Sequence, residues 1–130
     1  MIRLYPARTA EELEHARILL LESASREVDL EELPGHWAPP RGRILLAEWN
    51  GLLAGCVALK PVGDPSLCRV ERLYVRPAHR KRGLGRALLS WAVDEARAIG
   101  YERARSDGDG AIYRAVGFVG GELTLSTRPR

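Results

Sequence analysis

Glutamine is absent from this chain, asparagine occurs once at Asn50, and only Lys60 and Lys81 of the 20 basic residues are lysine. A shortage of thermolabile amides hints at a thermophilic source, but arginine excess also follows genome composition, so the pattern carries no chemistry. Two cysteines, Cys56 and Cys68, sit in apolar strand-like runs without CxxC or Cys-His spacing. That excludes a disulfide framework and implies two buried thiols. His15, His36 and His79 lack metal-ligand spacing, so no metal is expected. No run approaches the roughly 18 uninterrupted apolar residues of a membrane span. A basic segment followed by an apolar stretch and a cleavage site is also missing at the N-terminus. A cytoplasmic protein with no membrane partner is the expectation.

What is present is an ordinary globular composition over 130 residues, 45% hydrophobic and 28% charged, enough for one continuous core. We read residues 1–130 as one domain, with no linker, repeat or low-complexity segment. The net charge of +3 is unevenly spread. Residues 69–86 hold seven cations (Arg69, Arg72, Arg76, Arg80, Lys81, Arg82 and Arg86) against the one acid Glu71, a local +6 that leaves −3 for the rest. Nucleic-acid binders usually show a wider basic face, because affinity grows with the number of phosphates neutralised. One compact patch suits a small polyanion better.

Hydrophobic spacing predicts a strand at residues 2–4 and, after a Thr9-x-x-Glu12 capping box, a helix over about 10–26. A further helical turn is expected at 29–33, then a loop from Pro34 to Gly42. Residues 44–49 and 52–59 read as a β-hairpin, since Asn50-Gly51 supplies the two positive φ values of a type I′ turn. A strand at 68–75, a helix over about 83–99 capped by Gly100, a strand at 101–106, a short helix at 111–116 and a strand at 123–127 complete the pattern. The class is therefore α/β with a mixed sheet, mostly antiparallel, containing one parallel strand-helix-strand unit. Trp37, Trp49 and Trp91 are expected in packing roles, with Trp37 also a candidate wall of an acceptor site.

The residues between the strand at 68–75 and the helix after it form the most informative stretch. Pro77 halts an apolar run, a basic turn follows, and the helix opens within that turn. Backbone N–H groups at a helix start have no intrahelical partner and carry the positive end of the dipole, so a phosphate is held there by several hydrogen bonds. Gly83 and Gly85 keep side-chain bulk away from the main chain. A P-loop string is absent, and a dinucleotide fingerprint needs a third glycine and an early strand-helix-strand unit. What stands instead is Arg80-x-x-Gly83-x-Gly85, with Tyr113-Arg-Ala-Val-Gly117-Phe118 downstream.

In these residues the sequence resembles the GNAT superfamily of acetyl-CoA-dependent N-acetyltransferases. The match extends to Val75-Arg76-Pro77 before the turn, Gly55 to Leu59, Glu95-Ala96-Arg97 and Gly100-Tyr101. The resemblance implies a GNAT-like fold with helices on both faces of the sheet, and acetyl-CoA as cofactor. It implies a cofactor site at Leu73, Tyr74, Val75, Arg80, Lys81, Arg82, Gly83, Leu84, Gly85 and Arg86, with the pantetheine arm lying along the strand like an added neighbour. The acceptor would be an amine, of a small molecule or a protein, attacking the thioester directly. Strand N–H groups near Tyr74 or Val75 would polarise the carbonyl. Tyr113 would protonate the departing thiolate. Arg69 stands where relatives often carry a glutamate, so the base is open between Glu71, Glu48 and a water relay. The C-terminal third is shorter than in relatives and leaves a sheet edge that a homodimer would cover. Two competing readings are a non-catalytic acetyl-CoA-binding module and a nucleic-acid-binding domain built on the basic turn.

Overall fold

Asn50 and Gly51 adopt φ values of 50° and 83°, and the turn they make joins β2 (Arg43–Trp49) to β3 (Leu52–Pro61) as the Asn-Gly pair requires. The structure is a computed structural model describing residues 1–23, 34–108 and 110–125. β1 (Ile2–Pro6) pairs antiparallel with β2, β3 pairs antiparallel with β4 (Leu67–Val75), and β4 runs parallel to β5 (Arg103–Ser106). β6 (Glu122–Thr124) closes the series antiparallel to β5, so the six strands stand side by side in chain order.

The helices are α1 (Ala10–Ser23), α2 (Leu84–Ile99) and α3 (Ala111–Val116). The expected capping box starts α1: the Glu12 N–H donates to Thr9 Oγ1 over 3.1 Å, and the Thr9 N–H to Glu12 Oε1 over 3.0 Å. The rest of the helix expected to residue 26, and the turn expected at 29–33, lie outside the described residues. Gly100, at φ 113°, ends α2 by donating to the Ala96 and Arg97 carbonyls.

Alternation along β2 and β3 explains why these strands are apolar throughout. Ile44, Leu46, Cys56 and Ala58 meet Ala16, Leu19 and Leu20 of α1 on one face. Leu45, Ala47, Val57 and Leu59 meet Leu84, Leu88, Leu89, Ala92 and Ala96 of α2 on the other. The expected placement of helices on both faces follows. Cys56 and Cys68 are buried as free thiols, and burial pushes both up to about 12, which keeps them protonated and unreactive. Among the described residues no helix is long and apolar enough to cross a membrane.

Two features shape the region around the basic turn. The pairing of β3 with β4 slips between Cys56 and Ala58, and opposite that slip Arg72 stands at φ 62°, so β4 carries a bulge just before Leu73. β5 pairs with β4 only from Leu67 to Val70, after which the two strands part. At the C-terminus, Gly120 and Gly121 at φ 58° and 81° fold Val119 back onto Glu122. A two-residue turn thus leads into β6.

Candidate active site

The parting of β4 from β5 exposes one edge of β4. Because the Arg76 N–H donates to the Ala54 carbonyl, Arg76 faces β3, and strand alternation turns the peptide groups of Leu73 and Val75 toward the gap. Tyr74, in register with Cys56, presents its peptide to β3 instead. Of the strand N–H groups expected to act on a carbonyl, Val75 therefore faces the gap and Tyr74 does not; Leu73 joins it.

A cavity of about 510 Å³ lies along the end of β4, lined by Leu73, Tyr74, Val75, Arg80, Lys81, Gly83, Leu84, Gly85 and Arg86. Nine of the ten residues expected to hold a cofactor thus surround one space. His79 and Ile112 line it as well, and neither was legible as a site residue in the sequence. Arg82 is the exception and does not line it.

The mouth of the cavity is the start of α2. Gly83, the N-cap, stands at φ 80° and gives no side-chain cap, and the first turn contains no acid. An added Cβ at Gly83 would meet nothing within 4 Å, while at Gly85 it would face Ile112 Cδ1 at 3.4 Å and Val75 Cγ2 at 3.8 Å. The Ala87 N–H is the first of the helix to find a carbonyl, that of Gly83 over 3.0 Å, so the amides ahead of it stay open toward the cavity. An uncapped, acid-free helix start flanked by Lys81 and Arg86 has the chemistry of a polyphosphate seat.

Four of the other five cations of the patch also engage neighbouring groups, although Arg80 lines the cavity as well. Arg80 Nε donates to the Val75 carbonyl over 2.9 Å, folding the turn back on β4. Arg76 binds both carboxylate oxygens of Glu22 at 3.0 and 2.6 Å and also reaches the Leu53 carbonyl, tying the end of α1 to β4. Arg82 lies over the Trp49 ring, and Arg69 pairs with Glu71.

Glu71 is buried on β4 and does not line the cavity. Its carboxylate accepts from Trp37 Nε1 over 3.0 Å and lies 3.3 Å from Lys60 Nζ and 3.1 Å from Arg69 Nε. One hydrogen bond and two cations thus already engage its two oxygens. Glu48 lies on β2, two strands from β4 and outside the cavity lining, accepting from Tyr5 at 2.8 Å and pairing with Arg3. Tyr113 in α3 packs edge-on to Phe118 with ring centres 6.0 Å apart, and its ring lies flat enough on Gly108 that an added Cβ there would come within 2.6 Å of it. Its hydroxyl therefore stands beside Gly108, just past the end of β5, and Tyr113 does not line the cavity although its neighbour Ile112 does. Burial first, then the Asp107 charge, raises its pKa, so the phenol keeps its proton at neutral pH.

A mixed sheet whose central parallel pair splays open beside an uncapped basic helix start defines a class: folds that seat a nucleotide-bearing acyl carrier between two strands. A sequence model of the Acetyltransferase (GNAT) family matches residues 8–118. The chain belongs to that family. It is 36% identical over 86 residues to the N-alpha-acetyltransferase RimI of Mycobacterium tuberculosis, covering 62% of this chain and 54% of that protein. It is also 36% identical over 118 residues to the mycothiol acetyltransferase of Amycolatopsis mediterranei, covering 85% of this chain but 37% of that protein. The chain thus spans less than two thirds of these relatives' length. A GNAT family acetyltransferase from Brucella melitensis, solved in complex with acetyl-CoA, superposes with a TM-score of 0.73 at 19% identity, covering 99% of this chain and 90% of that one. At that identity the likeness is one of fold.

Proposed function

We propose that residues 1–130 form a single N-acetyltransferase domain that moves an acetyl group from acetyl-CoA to an amine. The observation that carries this reading is the continuity of the open edge of β4 with the uncapped start of α2 around one cavity. The amides before Ala87, with Lys81 and Arg86, hold the pyrophosphate, and Leu73 and Val75 face the pantetheine arm. Acetyl-CoA, when bound, supplies an activated acetyl thioester. Leu73 and Val75 direct N–H groups into the gap, where a developing negative charge on a carbonyl oxygen is stabilised. Tyr113 holds a phenolic proton suited to a departing thiolate.

Glu71 is better placed as an anchor than as the base, since Trp37, Lys60 and Arg69 already hold its oxygens. We therefore assign removal of the amine proton to water at the cavity mouth. An amine with an ordinary pKa of about 10.4 must lose that proton before it attacks. The names of two relatives direct the choice of acceptors toward peptide α-amines and thiol-bearing small amines. A cytoplasmic location fits these acceptors. The outer edge of β6 is where a second copy would add, and light scattering would detect it.

The test is release of CoA from acetyl-CoA in the presence of an amine panel, followed by chromatographic separation of CoA for amines that carry a thiol and with a thiol reagent for those that do not. Buried Cys56 and Cys68 will not contribute to that signal. Acceptor-dependent release supports an enzyme; CoA binding without release under any amine would make the domain a binding module instead.

A further inference from the structure

Arg82 sits in the middle of the phosphate turn, yet it is the one residue of the expected set whose side chain does not line the cavity. Its guanidinium carbon lies 4.8 Å from the centre of the Trp49 ring, and its Nη1 lies 3.2 Å from His79 Nδ1. A guanidinium only donates, so His79 accepts at Nδ1. Two neighbours therefore fix this cation, one from the end of β2 and one from the 3-10 turn Pro77–His79.

The backbone on either side explains why fixing matters. Lys81 stands at φ 66° and Gly83 at φ 80°, so Arg82 is bracketed by two left-handed residues. Glycine adopts that region freely, but lysine does not, and such a conformation persists only where its surroundings over-determine it. Arg82, pinned on both flanks, holds the turn in this shape from one side of Lys81, as the bond from Arg80 to the Val75 carbonyl does from the other. With the shape held, the open amides of the helix start converge without rearranging when a phosphate arrives, which lowers the cost of binding.

We propose that Trp49 and His79 are positioning residues for the cofactor's phosphates, acting through Arg82, which they clamp so that the 80–86 turn is preformed. This rests on the acetyl-CoA reading above. Arg82 thus contributes mainly by where it holds the backbone, and the β2–β3 hairpin becomes part of the cofactor site although it touches no ligand.

Calorimetric titration of CoA into the full chain tests the clamp, with melting temperatures as folding controls. Trp49→Leu and Arg82→Met are each expected to weaken CoA about five- to tenfold, the range a cation–π contact supplies. Trp49→Phe, which keeps an aromatic face, should stay within about twofold of wild type. The double variant Trp49→Leu/Arg82→Met should lose no more than the larger single loss, because both remove one device. Losses that multiply, or a Trp49→Leu protein that binds CoA like wild type, would overturn the clamp in favour of Arg82 as a free phosphate ligand. Should Trp49→Leu not fold, the salt dependence of Arg82→Met decides: a loss that persists at about 1 M salt supports the clamp, and one that vanishes as salt is raised overturns it by showing that Arg82 acts through its charge alone. If wild type itself gives no heat with CoA, it is the acetyl-CoA reading that fails, and the clamp with it.

Discussion

The phosphate end of the cleft and the cluster around Glu71, outside the cavity lining, are made of different material. At the phosphate end the ligand-facing groups are main-chain amides, presented by two glycines and a helix start within a few residues of one another. Around Glu71 the groups are side chains gathered from Trp37, Lys60 and Arg69, on three segments distant in sequence. A main-chain site tolerates most side-chain changes that leave its backbone shape intact. A side-chain site fails when one partner is removed, but its failure is graded.

The strongest way to break that comparison is to put charge into the main-chain end. Gly83→Glu places a carboxylate at the open helix start, where space exists but the left-handed backbone disfavours any side chain. The conformational cost is about 1–2 kcal/mol, so the protein should fold with a melting temperature about 3–8 °C lower. CoA binding should become undetectable, and unchanged affinity by calorimetry would show that the helix start does not seat the phosphates.

The next largest effect separates chemistry from binding. Tyr113→Phe should lower kcat by about 10²–10⁴-fold while leaving the CoA dissociation constant near wild type, as removal of a general acid does. Gly108→Ala should reproduce part of this loss, because its new Cβ would sit 2.6 Å from the Tyr113 ring and force it aside. If both variants turn over normally, Tyr113 is a packing residue beside Phe118.

Glu71→Gln sharpens the other half. As an anchor, Glu71 loses its two ion pairs but still accepts from Trp37, and since Lys60 and Arg69 both reach water the cost should be modest, about 1–2 kcal/mol by urea unfolding. The pH profile of kcat/KM should keep its shape. Loss of the acidic limb of that profile, with stability unchanged, would instead make Glu71 the base.

The same division governs what was legible in the sequence. Gly83, Gly85, the Asn50-Gly51 hairpin and the spacing of α2 are local signals, and the nine cavity residues among the ten expected follow from them. His79 and Ile112 carry no such signal: one enters because a 3-10 turn tucks it under the phosphate turn, the other because α3 packs it against the start of α2. The pairing of Glu71 was hidden because Trp37 and Lys60 reach it only through tertiary folding. The bulge at Arg72, which determines which peptides face the cleft, has no glycine to announce it. β6 begins at Glu122 rather than Leu123 because Gly120-Gly121 make the turn so tight, and residues 126–127 of the expected strand lie outside the described region.

The smallest expected effect concerns the tie between the two halves. Glu22 on α1 accepts from Arg76 and from the Tyr74 hydroxyl, at 3.3 Å, so the end of α1 is fastened to the strand that lines the cleft. The hydrogen bond from Arg76, followed by its charge and the Tyr74 hydroxyl, holds the Glu22 carboxyl below its ordinary 4.5 despite an opposing contribution from burial. A folded-state value below the unfolded one means stabilisation that is complete above about pH 4.5 and is lost as the pH falls through the folded value. Glu22→Gln should therefore cost under about 1 kcal/mol at pH 7, as exposed pairs do, and the gap from wild type should close as urea midpoints are followed from pH 7 toward pH 3.5. CoA affinity should stay within about twofold, because the phosphate seat is main chain and does not depend on this side-chain tie. A gap that stays constant across that range would show that the Arg76–Glu22 pair carries no proton-linked stability, and a large drop in CoA affinity would show that the phosphate seat depends on this tie after all.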